Sequence, residues 1–144
     1  MKWMLHFKAM EGQYIKLEPL KLSHTGGILS AGKDSNIWPY MFMQVDGRES
    51  AEAFVNLALA NMQKGSEMTY AITSKKDDRV IGSTRFFDIL EDHRQLEIGH
   101  TWLTPSVWGS PVNLECKYLL LSYCFQSLDL VRVQLKTDLR NERA

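Results

Sequence analysis

The chain has 144 residues, 44% of them hydrophobic, and its 17 Lys plus Arg balance 17 Asp plus Glu. A chain of this size can bury one core and is too short for two domains, so a single domain is expected. The charge balance, with both signs interspersed, excludes a basic nucleic-acid footprint and a polybasic membrane patch.

Apolar runs are too short for a spanning helix, and Lys2, His6 and Lys8 interrupt Met1 to Met10 where a signal peptide needs an apolar stretch. The cytoplasm is the expected compartment. Residues 1–13 read as an N-terminal tail, in which Met10 can itself be a start, and residues 14–144 as the domain. Tyr14 to Leu20 sets Ile15 and Leu17 against Lys16 and Glu18 and meets Pro19, the pattern of a short strand. From Ser23 to Tyr40, Gly26, Gly27 and Gly32 limit helix, so a short helix and a loop are expected. Asp46 and Glu49 look like a capping pair for an amphipathic helix whose stripe is Phe54, Leu57, Ala58 and Met62, ending at Gly65.

Three strands follow. Met68 to Thr73 and Val80 to Phe87 flank a polar turn, and after Glu91 to Arg94 the alternation resumes from Gln95 to Leu103, with Leu96, Ile98, His100 and Trp102 on one face. Ser110 and Pro111 have the chemistry of an N-cap and a first helical residue, and Leu114, Tyr118, Leu121, Phe125 and Leu128 form the expected apolar stripe of a helix to Ser127. Cys116 and Cys124 would lie about 12 Å apart on that helix, too far for a disulfide, so both read as buried thiols. Val131 to Lys136 alternates as a last strand, giving the order β, α, α, β, β, β, α, β.

A strand feeding a helix N-terminus presents unpaired N–H groups and the positive end of the helix dipole, which suits a pyrophosphate, although many such turns bind nothing. The segments YIKLEPL, RVIGSTRFFDI, LEIGHTWLTPSVWGSPVNLECKYLLLSYCFQSL and RVQLKTDLRN, met in this order from Tyr14 to Asn141, resemble the ribosomal-protein-type N-terminal acetyltransferase branch of the GNAT superfamily. The resemblance implies an α+β, acyl-CoA N-acyltransferase fold: a mixed, mostly antiparallel sheet flanked by helices. It further implies acetyl transfer from acetyl-CoA to a primary amine, either a protein N-terminus or a small molecule. No metal is implied.

By the same resemblance, the backbone of Trp102, Leu103 and Thr104 lies along the pantetheine arm, and Trp108, Gly109, Ser110, Val112 and Asn113 surround the pyrophosphate. Asn141 opens the next helix and approaches the cofactor. Trp38 and Tyr40 fall in the loop that lines the acceptor pocket, where an aromatic cluster equally reads as core. The family motif Q/R-x-x-G-x-G/A falls on Trp108 to Asn113, with Pro111 where glycine would offer an amide, so weakened cofactor binding is expected. Glu97 is the candidate base, with a solvated strand carboxylate as the plain alternative. Gly99 is placed to permit a bulge that turns a backbone amide to the thioester. His100 reads as a core histidine.

The family fold continues past Asn141 with a helix and two strands, and this chain ends at Ala144. The expectation is an incomplete domain whose exposed sheet favours a homo-oligomer. Two alternatives therefore accompany the enzyme reading: an acyl-CoA-binding module without turnover, and an inactive truncated acetyltransferase that self-associates.

Overall fold

A computed structural model describes residues 7–39 and 44–135. Its centre is a six-stranded sheet in sequential order: β1 (Met10–Glu11), β2 (Ile15–Pro19), β3 (Met68–Ser74), β4 (Val80–Leu90), β5 (Gln95–Leu103) and β6 (Arg132–Leu135). All neighbours are antiparallel except β5 and β6, which run parallel. The parallel pair is the one joined by a helical crossover, as parallel strands require. The expected mixed, mostly antiparallel sheet is therefore present.

Helices α1 (Thr25–Ala31) and α2 (Arg48–Lys64) cover one face, and α3 (Val112–Ser122), continued by a π turn over Tyr123–Ser127, covers the other. On the α3 side, Ile15, Leu17, Tyr70, Phe86, Leu96 and Ile98 pack against Cys116, Leu120 and Cys124. On the opposite side, Trp38, Phe54, Val55, Ala71 and Trp102 form a second cluster. Both faces of β3 are consequently buried, although only one set of its alternating residues is strongly apolar.

Three expectations are corrected here. Residues 7–13 are not a loose tail: Met10 and Glu11 pair with Leu17 and Lys16, Phe7 lies 5.3 Å from Phe86, and Tyr70 Oη donates to the Lys8 carbonyl at 3.0 Å. The α2 cap is Gly47 with Ser50, whose hydroxyl accepts from the Asp46 and Gly47 amides at 3.0 and 3.1 Å; Leu57 is 63% exposed while Ala51 and Val55 are buried. The α3 stripe is likewise rotated, because Leu114 and Tyr118 are 75% and 66% exposed and the buried line is Val112, Cys116, Leu120 and Cys124. Cysteine is among the most buried residue types, and here two cysteines mark the inner face. Both thiols are free, and burial pushes Cys116 up to about 11 and Cys124 up to about 12, so they stay protonated.

Among the described residues, no helix is long and apolar enough to cross a membrane.

Candidate active site

Strand β5 is regular only to Gly99. Arg85 of β4 pairs with Gly99 and Ser83 with Trp102, so the single residue Thr84 faces both His100 and Thr101. That extra residue is a β-bulge, and His100 carries it with φ at 51°, in the left-handed region where a non-glycine side chain is strained. The bulge therefore sits one residue after Gly99, whose own role is close packing: a Cβ there would meet Phe87 Cε1 at 2.7 Å. The Phe87 ring in turn meets His100 edge-on at 4.7 Å.

An inserted residue inverts the side-chain alternation beyond it. Leu96 and Ile98 face α3, whereas Trp102 faces α1 and α2, its ring 5.0 Å from that of Trp38. The four residues expected on one face are thus split by the bulge. His100 is half-buried rather than core, and burial followed by the nearby Arg85 charge holds its imidazole below the ordinary histidine range. Arg85 is itself buried against Glu67 at 3.0 Å, with its guanidinium 5.5 Å over the Phe54 ring.

Glu97 is 1% exposed and lines a cleft of about 510 Å³ with Ser66, Asp88, Gln95 and Gln134. The Gln134 amide, oriented by its neighbours, donates to Glu97 Oε1 at 3.3 Å and accepts from Arg132 Nη2 at 2.8 Å. A solvated strand carboxylate does not describe this group. Described pairing between β5 and β6 runs from Gln95 with Arg132 to Ile98 with Leu135. The bulge and residues 99–103 follow directly beyond it.

After β5, a 3-10 turn over Pro105–Val107 leads to Gly109, whose φ of 77° explains glycine there, and then to α3. Trp108 donates its indole N–H back to the Leu103 carbonyl at 2.8 Å, closing the loop over the strand end. The Ser110 hydroxyl accepts from the Val112 amide at 3.3 Å, and the Ser110 amide donates to the Val107 carbonyl at 3.3 Å; the cap position of α3 is Pro111, one residue after the expected Ser110. The amides of Ser110 and Val112, both expected near a pyrophosphate, are thus engaged by long hydrogen bonds within the loop. Pro111 has none to offer.

This layout matches known proteins. The model for the acetyltransferase (GNAT) domain family matches residues 15–144. The chain belongs to that family. Among structures, a T. thermophilus protein solved as a candidate acetyltransferase is 34% identical and superposes with a TM-score of 0.81, over 95% of this chain and 70% of that one. Mycobacterium smegmatis RimJ in complex with CoA-disulfide, 15% identical, shares the fold with a TM-score of 0.78 over 94% of this chain and 68% of its own. The uncharacterized N-acetyltransferase p20 of Bacillus licheniformis is 29% identical over 109 residues, which are 76% of this chain. The chain spans 58% of the length of that curated relative.

Within this GNAT domain, the residues named from sequence fall into two groups. Glu97 and the Trp102 to Asn113 segment lie on one continuous stretch from mid-strand through the loop to the start of α3. Trp38 is 5% exposed, with its indole N–H donated to the Gly32 carbonyl at 2.9 Å and its ring packed on Trp102, so it is a core residue and presents no open surface. Tyr40 and Asn141 lie outside the described residues.

The roles of three residues escaped sequence reasoning. His100 carries the bulge without being Gly, Asn or Asp, the usual signal for left-handed backbone. Glu115, in the first turn of α3, accepts from the amides of Gln13, Tyr14 and Ile15 at 3.0, 2.8 and 2.9 Å. Lys117 reaches from α3 to Thr101 Oγ1 at 2.8 Å, and that oxygen lies 2.7 Å from Thr84 Oγ1.

Proposed function

We propose that this domain transfers an acetyl group from acetyl-CoA to a primary amine by direct attack, with Glu97 as the base. The carrying observation is the β5 bulge at His100, flanked on one side by the buried Glu97 and on the other by the loop into α3. One short segment thereby offers a carboxylate, a backbone free of regular strand geometry and a helix N-terminus. These are a proton acceptor, a candidate oxyanion donor and an anion site. RimJ with its bound CoA-disulfide shares the fold, which supports the same class of ligand here.

Acetyl-CoA supplies the activated acyl carbon. In the proposed reaction the amine nitrogen bonds to that carbon, the carbon–sulfur bond breaks to release CoA as the thiolate, and the amine proton passes to Glu97. The bulge amides face the carbonyl oxygen, where a preformed donor is worth most as negative charge develops. Trp102, Leu103 and Thr104 lie along the pantetheine. Trp108, Gly109, Ser110, Val112 and Asn113 hold the pyrophosphate.

The test is thermal unfolding with and without acetyl-CoA. Ligand at a hundred times its dissociation constant adds about 2.7 kcal/mol, a rise of roughly 5–10 °C for a domain of this size. No rise at millimolar acetyl-CoA would overturn the reading. Pro111 and the engaged amides of Ser110 and Val112 favour a second reading, an acyl-CoA-binding module without turnover. A midpoint rise without product across a panel of amines would select it.

We also propose that the domain self-associates through the outward face of α3, where Leu114 and Tyr118 are exposed beside the half-exposed Phe125. Sedimentation should show a concentration-dependent oligomer that Leu114→Glu with Tyr118→Glu converts to monomer; a monomer at all concentrations would remove the proposal.

A further inference from the structure

The bulge at His100 is costly, and the structure points to what holds it. Thr84 is the residue that faces two on β5, and its hydroxyl meets that of Thr101, the second of the two, at 2.7 Å. Thr84 is fully buried, so this pair cannot be exchanged for water without disturbing the sheet. Lys117 then donates to Thr101 Oγ1 at 2.8 Å from the helix beneath. An ammonium has no acceptor, so Lys117 is the donor to Thr101, whose hydroxyl shares a further hydrogen bond with that of Thr84. Among the described residues Lys117 is in no ion pair. Burial is also the main influence on its amine, holding it below the ordinary lysine range.

A half-buried cation that meets a hydroxyl rather than a carboxylate contributes little to stability. Its position suits geometry instead. Resting on the acetyl-transfer reading above, we infer that Lys117 is a positioning residue: acting through Thr101 and Thr84, it holds the His100 bulge and so aims the β5 backbone amides at the acyl donor. Lys117 itself touches no reacting atom.

The test compares the full chain with Lys117→Met and Lys117→Arg. Methionine keeps the apolar stem and removes the charge, so the unfolding midpoint should stay level or rise. Amide hydrogen exchange at residues 100–102 should nevertheless quicken about tenfold, the loss of roughly one buried hydrogen bond, while β3 is unchanged. The KM for acetyl-CoA should rise by about the same factor with kcat lowered as well, and arginine should restore part of each. Two results would overturn the inference: exchange at 100–102 equal to that of the parent chain, or a lowered midpoint with faster exchange spread evenly over the sheet. Exchange is read without ligand. A parent chain that shows no midpoint rise with acetyl-CoA would thus defeat the functional reading while the Lys117 result still stood or fell by itself.

Discussion

Glu97→Gln is expected to lower kcat by about 10²–10⁴-fold, the usual contribution of a positioned general base, while the unfolding midpoint and the acetyl-CoA-induced rise stay within error. The substitution is close to isosteric, and the remaining carbonyl oxygen can still accept from Gln134, which lies 3.3 Å from Glu97 Oε1. The buried site is therefore neither emptied nor left with a new cavity, and the loss should be confined to proton transfer. Full activity would remove Glu97 as the base. It would also turn attention to His100, whose imidazole is kept neutral at physiological pH by burial and by Arg85.

Glu115→Ala should cost about 2–4 kcal/mol, or roughly 5–15 °C in midpoint, which is large for a residue that is only half-buried. The carboxylate is the shared acceptor for three consecutive amides, those of Gln13, Tyr14 and Ile15, at 2.8 to 3.0 Å. It also fills the space over Gly12, where a Cβ would come within 2.5 Å of Glu115 Oε1. Removing it leaves three donors to find water at the turn between β1 and β2 and unties that turn from the start of α3. Glu115→Gln should cost about half as much. Its oxygen can serve Tyr14 and Ile15 as Oε1 does now, but its NH₂ cannot accept from Gln13. Urea unfolding checks both variants. A change under about 0.5 kcal/mol for alanine would mean that hydration replaces the carboxylate fully.

Much of the architecture was legible in the residues themselves. Period-two alternation placed β2, β3, β5 and β6, the polar turn after β3 placed β4, Gly65 closed α2 with its φ of 78°, and the Ser110–Pro111 pair marked the start of α3 to within one residue. These are signals between near neighbours in the chain, and backbone geometry makes them local. Glu97 lies on β5, the strand that the alternation from Gln95 to Leu103 predicts.

What the tertiary structure decided is of another kind. The inversion of faces within β5 depends on one inserted residue; Gly99 signalled a bulge, but its seat at His100 was not legible, so the alternation read past it put Trp102 on the wrong side. The rotation of α3 was hidden because Leu114 and Tyr118 are as apolar as the buried line. Only the opposing sheet selects Cys116 and Leu120. The seating of residues 7–13 and the reach of Glu115 to amides about a hundred positions earlier in the chain are partnerships at long sequence separation. So is the contact of Lys117 with the bulge. A hydrogen bond across the fold constrains neither the period nor the composition of the segments that make it, so only their placement in three dimensions discloses it.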